Sequence, residues 1–103
     1  MEVANNFYEK KNYALAIEKI ETAMGLENTQ ITGWDLYFFA SCLSMDNRID
    51  DAFKALFDAV NNYPIQNYTD YIYTDKDLEP LHSDARWDEL INTLKTKMGS
   101  AEK

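Results

Sequence analysis

An internal repeat with an offset of 36 residues constrains this chain more than any other feature. Segments 13–24 and 49–60 align without a gap, and six aligned positions are apolar or small in both copies. They are Tyr13/Ile49, Ala16/Ala52, Ile17/Phe53, Ile20/Leu56, Ala23/Ala59 and Met24/Val60. These positions recur every three or four residues, which is the spacing of one helix face. The alanines of each copy share a stripe, where small side chains let a neighbouring helix approach closely. If the segments were only two unrelated amphipathic helices, each pattern would be explained, but the common offset of 36 residues would not.

A further helical segment precedes each copy, at about 3–10 and 32–45. Polar breaks separate the segments, and Asn12 is placed to cap the helix that starts at Tyr13. Asn47 lies in a short turn where a left-handed residue is useful, and Asn tolerates that conformation. Since the helices are short and the loops brief, we expect each pair to form an antiparallel αα-hairpin.

Composition narrows the class of protein. Three Gly and two Pro are too few for the many tight turns of an all-β protein. The net charge of −8 and the lack of a basic stripe argue against nucleic acid and anionic membranes as partners. The longest apolar run, 36–40, is far too short to span a bilayer. No export signal is visible, but this leaves the compartment open between the cytoplasm and, if a signal has been removed, the periplasm.

The two copies resemble the tetratricopeptide repeat. The family's small residue in the first helix matches Ala4 and Ala40, and its closing proline matches Pro64, where the first copy has Asn28. The family repeat has about 34 residues, so the offset of 36 in this chain corresponds to a linker that is about two residues longer. The segments 75–81 and 84–90 resemble the degenerate closing unit of many bacterial members, which caps the last hydrophobic face.

This resemblance implies an all-α fragment of a right-handed α-solenoid, with two αα-hairpins and a C-terminal capping helix. Its expected divisions are repeat one at 1–30, repeat two at 31–64, a closing unit at 65–98 and a disordered tail at 99–103. The implied function is a non-catalytic scaffold that binds a protein or peptide. The expected partner is basic or apolar, because the negative charge of the chain disfavours an acidic one. Two alternatives stay open: an intramolecular accessory domain of a longer enzyme or surface protein, and a carbohydrate or small-ligand binder.

In this family the first helices of successive repeats line a concave groove that holds peptides. The resemblance places eight residues there: Asn5, Tyr8, Glu9, Trp34, Tyr37, Ser41, Ser44 and Met45. The opposing interpretation is that the closing segment folds over this surface and buries Trp34 and Tyr37. The tyrosines Tyr63, Tyr68, Tyr71 and Tyr73 either pack the closing segment or form a platform for sugars.

Catalytic and metal sites are not expected, and neither is a cofactor. Cys42 and His82 form the one thiol and imidazole pair, but Cys42 lies among core positions and is interpreted as a small buried hydrophobe. Asp75, Asp77 and Glu79 have the spacing of the start of an EF-hand, but the glycine and glutamate that such a loop needs are missing. Asp75 is therefore interpreted as a helix cap.

The last helix is predicted at about 84–97, capped by Asp84 or Ser83 and stopped by Gly99. Its apolar stripe is Trp87, Leu90, Ile91 and Leu94. We expect this stripe to cover helix 49–61. The aromatics Phe7, Phe39, Phe53 and Phe57 also fall on core stripes and are interpreted as structural.

Overall fold

The computed structural model describes residues 10, 12–25, 30–63 and 70–101. Within these ranges the regular structure is helical and contains no strand, which confirms the all-α prediction. The elements are α1 (Tyr13–Met24), α2 (Gly33–Met45), α3 (Ile49–Asn62), a 3₁₀ helix (Lys76–Leu81) and α4 (Ala85–Ala101). The helix predicted at about 3–10 lies outside the described residues.

Polar side chains fix where α1 and α2 begin. The Asn12 side chain accepts a hydrogen bond from the Leu15 N–H at 3.4 Å, as predicted. At the start of α2, Thr32 and Asp35 form a capping box, in which each side chain accepts from the other's backbone N–H at 3.3 and 2.9 Å. Asn47 adopts φ of 62°, the left-handed conformation expected for the turn between α2 and α3.

The offset of 36 residues has a structural counterpart. The cap residues Asn12 and Arg48 have nearly the same backbone, with φ, ψ of −97°, 74° and −96°, 71°. The alanines Ala16 and Ala52 are both fully buried. The next two aligned pairs, Ile17/Phe53 and Ile20/Leu56, are also buried. Burial diverges after that point: Ala23 and Met24 of α1 are half-buried, whereas Ala59 and Val60 of α3 are buried. The added burial in α3 follows from its position, because it packs against both α2 and α4.

The central element is α2, which packs against α1, α3 and the 3₁₀ helix. Most of its surface is therefore covered, and five of its buried residues are small: Gly33, Ala40, Ser41, Cys42 and Ser44. The α2 and α3 helices form a hairpin closed by the turn at Asn47. The 3₁₀ helix contributes Leu78 and Leu81 to the same core, both fully buried.

The last helix covers α3, as the sequence predicts. All four residues of its apolar stripe, Trp87, Leu90, Ile91 and Leu94, belong to the core. Of the other predicted core aromatics, Phe53 is buried, Phe39 and Phe57 are half-buried, and Phe7 lies outside the described residues. The helix ends at Ala101 and not at Gly99, so the described part of the expected tail, 99–101, continues it. A glycine near a helix end costs only about 1 kcal/mol relative to Ala, which is too little to force a stop.

Arg86 ties the start of α4 to α3. Its guanidinium lies over the Phe53 ring, 4.6 Å from the centroid, and forms ion pairs of 2.9 Å with Asp50 and with Asp84. The Asp84 carboxylate also accepts the Arg86 backbone N–H at 2.9 Å, which makes it the predicted cap. These hydrogen bonds from Arg86 lower the pKa of Asp84 to about 2.

Candidate functional site

The five described residues of the expected groove differ in exposure. Tyr37, Ser41 and Ser44 are 6%, 3% and 1% exposed, so little of their surface is open to a ligand, although Tyr37 still lines an open depression. The 3₁₀ helix packs against α2, and the placement of Tyr37, Ser41 and Ser44 in a peptide groove stays a prediction. Trp34 and Met45 stay exposed, at 37% and 38%. Of the two aromatic residues that the closing segment was expected either to cover or to leave open, Tyr37 is buried and Trp34 is accessible. Asn5, Tyr8 and Glu9 lie outside the described residues.

A hydrogen bond to the closing segment holds Tyr37 in place. The Tyr37 hydroxyl donates to Asp75 Oδ2 at 2.5 Å, and Ser41 Oγ donates to the Tyr37 carbonyl at 3.1 Å. The second oxygen of Asp75 accepts from the Asp77 N–H at 3.0 Å, which confirms Asp75 as the cap of the 3₁₀ helix. One carboxylate therefore both starts the 3₁₀ helix and fastens it to α2.

What remains accessible is an aromatic surface where α2 meets the closing segment. Five residues line an open depression of about 550 Å³: Trp34, Tyr37, Tyr71, Thr74 and Asp75, together called the aromatic patch. The Trp34 and Tyr37 rings meet edge to face, with centroids 5.8 Å apart and an angle of 81°. The Trp34 and Tyr71 rings are 6.1 Å apart and tilted by 51°. Tyr71 is 55% exposed, so most of its ring is available to a ligand.

The backbone beneath both exposed rings is fixed. Trp34 lies in the first turn of α2, directly inside the Thr32 and Asp35 capping box. Tyr71 lies in a turn whose carbonyl accepts the N–H groups of Thr74 and Asp75 at 3.0 and 2.8 Å. Its neighbour Ile72 is fully buried and anchors that turn in the core. The patch is thus held in shape before any ligand binds, which reduces the entropy lost on binding.

The tyrosine cluster of the sequence divides in the structure. Tyr71 joins Trp34, Tyr73 is 46% exposed, and Tyr63 is half-buried. Tyr68 lies outside the described residues. The sequence places Trp34 and Tyr71 in separate groups, and no motif or spacing connects them. Their contact depends on how the closing segment docks on α2, which periodicity cannot reveal.

The thiol and imidazole considered for chemistry both pack in or against the core. Cys42 is fully buried, and burial raises the pKa of its thiol to about 12, so almost no thiolate exists at neutral pH. The His82 ring packs on Trp87 with centroids 4.4 Å apart. The described residues contain no cluster of three or more His, Cys, Asp or Glu side chains able to hold a metal ion. Among the described helices, none combines the length and apolar character needed to cross a bilayer.

Comparisons with known proteins add no relative: no family, curated protein or solved structure matches this chain.

Proposed function

We propose that this chain is an interaction module of tetratricopeptide type, and that it binds a protein or peptide through the aromatic patch. The observation that carries the proposal is the contact between two exposed rings, Trp34 and Tyr71, on fixed backbone. Tyr and Trp are enriched at protein interfaces because they offer a large contact area with little side-chain freedom to lose.

The tetratricopeptide assignment is supported by the repeat. Matching positions in α1 and α3 share burial and helix start at an offset of 36 residues. A hairpin of α2 and α3 followed by a helix that covers α3 also suits two repeats and a closing unit. The proposed divisions are those of the sequence, with repeats at 1–30 and 31–64 and the closing unit at 65–98.

A binding role suits the patch better than catalysis. Its lining offers a carboxylate and two phenols, but the Asp75 carboxylate already accepts bonds from Tyr37 and Asp77. The thiol of the chain is buried and protonated. An open depression bordered by rigid aromatic rings instead resembles the anchor region of an interface.

Selection from a random peptide library displayed on phage tests the proposal without assuming a ligand. Peptides selected on the wild-type domain should bind the double variant Trp34→Ala, Tyr71→Ala about 30-fold more weakly, since such anchors are worth about 2 kcal/mol or more. The matched control is Tyr73→Ala, which removes an exposed tyrosine outside the patch. No enriched peptide, or equal binding by the double variant, contradicts the proposed function.

A further inference from the structure

We infer that the aromatic patch binds a lysine or arginine side chain from a basic segment of a partner protein. This inference rests on the proposed function and names the chemistry of the ligand. The lining combines two exposed aromatic rings with a carboxylate, and among its described residues Asp75 carries the only charge. Aromatic faces attract cations through the ring quadrupole, and a neighbouring carboxylate adds to that attraction.

The ring geometry suits one cation. A cation interacts with an aromatic face when it lies within about 6 Å of the ring centroid. Since the Trp34 and Tyr71 centroids are 6.1 Å apart, a single ammonium or guanidinium group over the cleft between them lies within reach of both rings. The fold itself uses this interaction elsewhere, where the Arg86 guanidinium lies 4.6 Å from the Phe53 centroid.

The carboxylate keeps capacity for a ligand. Asp75 Oδ1 accepts one hydrogen bond, from the Asp77 N–H, and Oδ2 accepts one, from the Tyr37 hydroxyl. A carboxylate offers about four acceptor positions, so both oxygens retain lone pairs for a donor on the ligand. Asp75 is half-buried, so water and salt screen its charge less than they would at a fully exposed site.

The surroundings favour a cation over an anion. Segment 70–79, which supplies three of the five patch residues, carries four acids and one lysine. The α2 helix carries one charged residue, Asp35. The whole chain has a net charge of −8, which draws basic segments toward it and repels acidic ones.

The test is an NMR titration with two matched peptides. One is the acetylated and amidated peptide Gly-Arg-Gly-Lys-Gly, and the other has norleucine in place of both cations. The readout is the indole N–H signal of Trp34, assigned with the Trp34→Phe variant and distinguished from Trp87, which is 9% exposed. The cationic peptide should shift this signal saturably, and the norleucine peptide should bind at least about fivefold more weakly. Added salt should weaken only the cationic peptide.

Paired variants locate the site. Asp75→Asn keeps an acceptor for the Asp77 N–H but removes the charge, whereas Glu79→Gln removes the same charge from an exposed residue outside the patch. The first should weaken the cationic peptide several-fold and the second should leave it nearly unchanged. Tyr71→Leu keeps apolar area but removes the ring, and should cost about two- to fivefold. Circular dichroism verifies that each variant retains the wild-type helix content.

The outcomes separate this inference from the proposed function. Equal binding of the norleucine and cationic peptides, equal losses from Asp75→Asn and Glu79→Gln, or no Trp34 shift at millimolar cationic peptide each overturns the cation site. If selected library peptides still depend on Trp34 and Tyr71, the interaction module stands with an apolar ligand. If no library peptide depends on them, the proposed function fails as well.

Discussion

Leu90→Ala tests whether the last helix belongs to the same cooperative core as the repeats. Leu90 is fully buried in the stripe with which α4 packs against α3. The change removes three carbons, worth about 0.8 kcal/mol each in transfer free energy, and leaves a cavity whose cost raises the expected total to about 2–5 kcal/mol. A domain of this size is stable by only about 5–15 kcal/mol, so one side chain decides a large share of that stability.

The assay is urea and thermal unfolding followed by far-UV circular dichroism. A loss of this size lowers the melting temperature by roughly 10 °C or more in a domain of about 100 residues. The matched control is Glu89→Ala, which introduces the same residue next to Leu90 on the exposed face of α4 and should stay within about 0.5 kcal/mol. If Leu90→Ala shifts the transition no more than Glu89→Ala, α4 is an appendage, and the reasoning about the cap is refuted.

Four further predictions follow from burial and charge. Ala16→Leu and Ala52→Leu should each destabilise by about 1–3 kcal/mol through overpacking at fully buried sites, and unchanged urea midpoints for both contradict the shared role of the repeat alanines. Cys42 should react with a thiol reagent at neutral pH only as fast as the chain unfolds, because its thiol is buried with a pKa near 12; rapid labelling of native protein argues against this burial. Asp84 has a pKa of about 2 when folded against an ordinary value of 3.8, so its contribution is complete only above about pH 5 and is lost as the pH falls toward 2. Asp84→Asn should flatten that part of the stability curve, and an unchanged acid profile contradicts the pairing with Arg86. Deleting residues 82–103 should cause aggregation or non-cooperative unfolding, and a monomeric product with an unaltered transition shows the cap to be dispensable.

The amphipathic helices could be predicted because one face of each is buried. In α1, α3 and α4 the apolar residues recur at helical spacing. Asn12 and Asp84 fix the starts of α1 and α4 through local hydrogen bonds. Those signals lie within a few residues of each other, so the sequence alone carries them.

The candidate site could be predicted only in part. The α2 helix is apolar or small almost all round, so its sequence does not reveal which face the closing segment covers. Burial of Tyr37 and exposure of Trp34 therefore depend on tertiary packing. The contact between Trp34 and Tyr71 joins residues 37 positions apart, and no repeat equivalence or motif links them.

The central position of α2 also has a consequence during synthesis. Its last packing partner, the 3₁₀ helix, ends at Leu81, which is 36 residues beyond Met45. At translation rates of about 5–20 residues per second, α2 emerges from the ribosome about 2–7 s before that partner follows it. During this interval the apolar face that the 3₁₀ helix later covers stays open to other chains and to chaperones. The packing of the 3₁₀ helix on α2 stabilises the finished fold, but until it forms α2 is open to unwanted contacts. The length of this interval is set by the number of residues between α2 and the 3₁₀ helix.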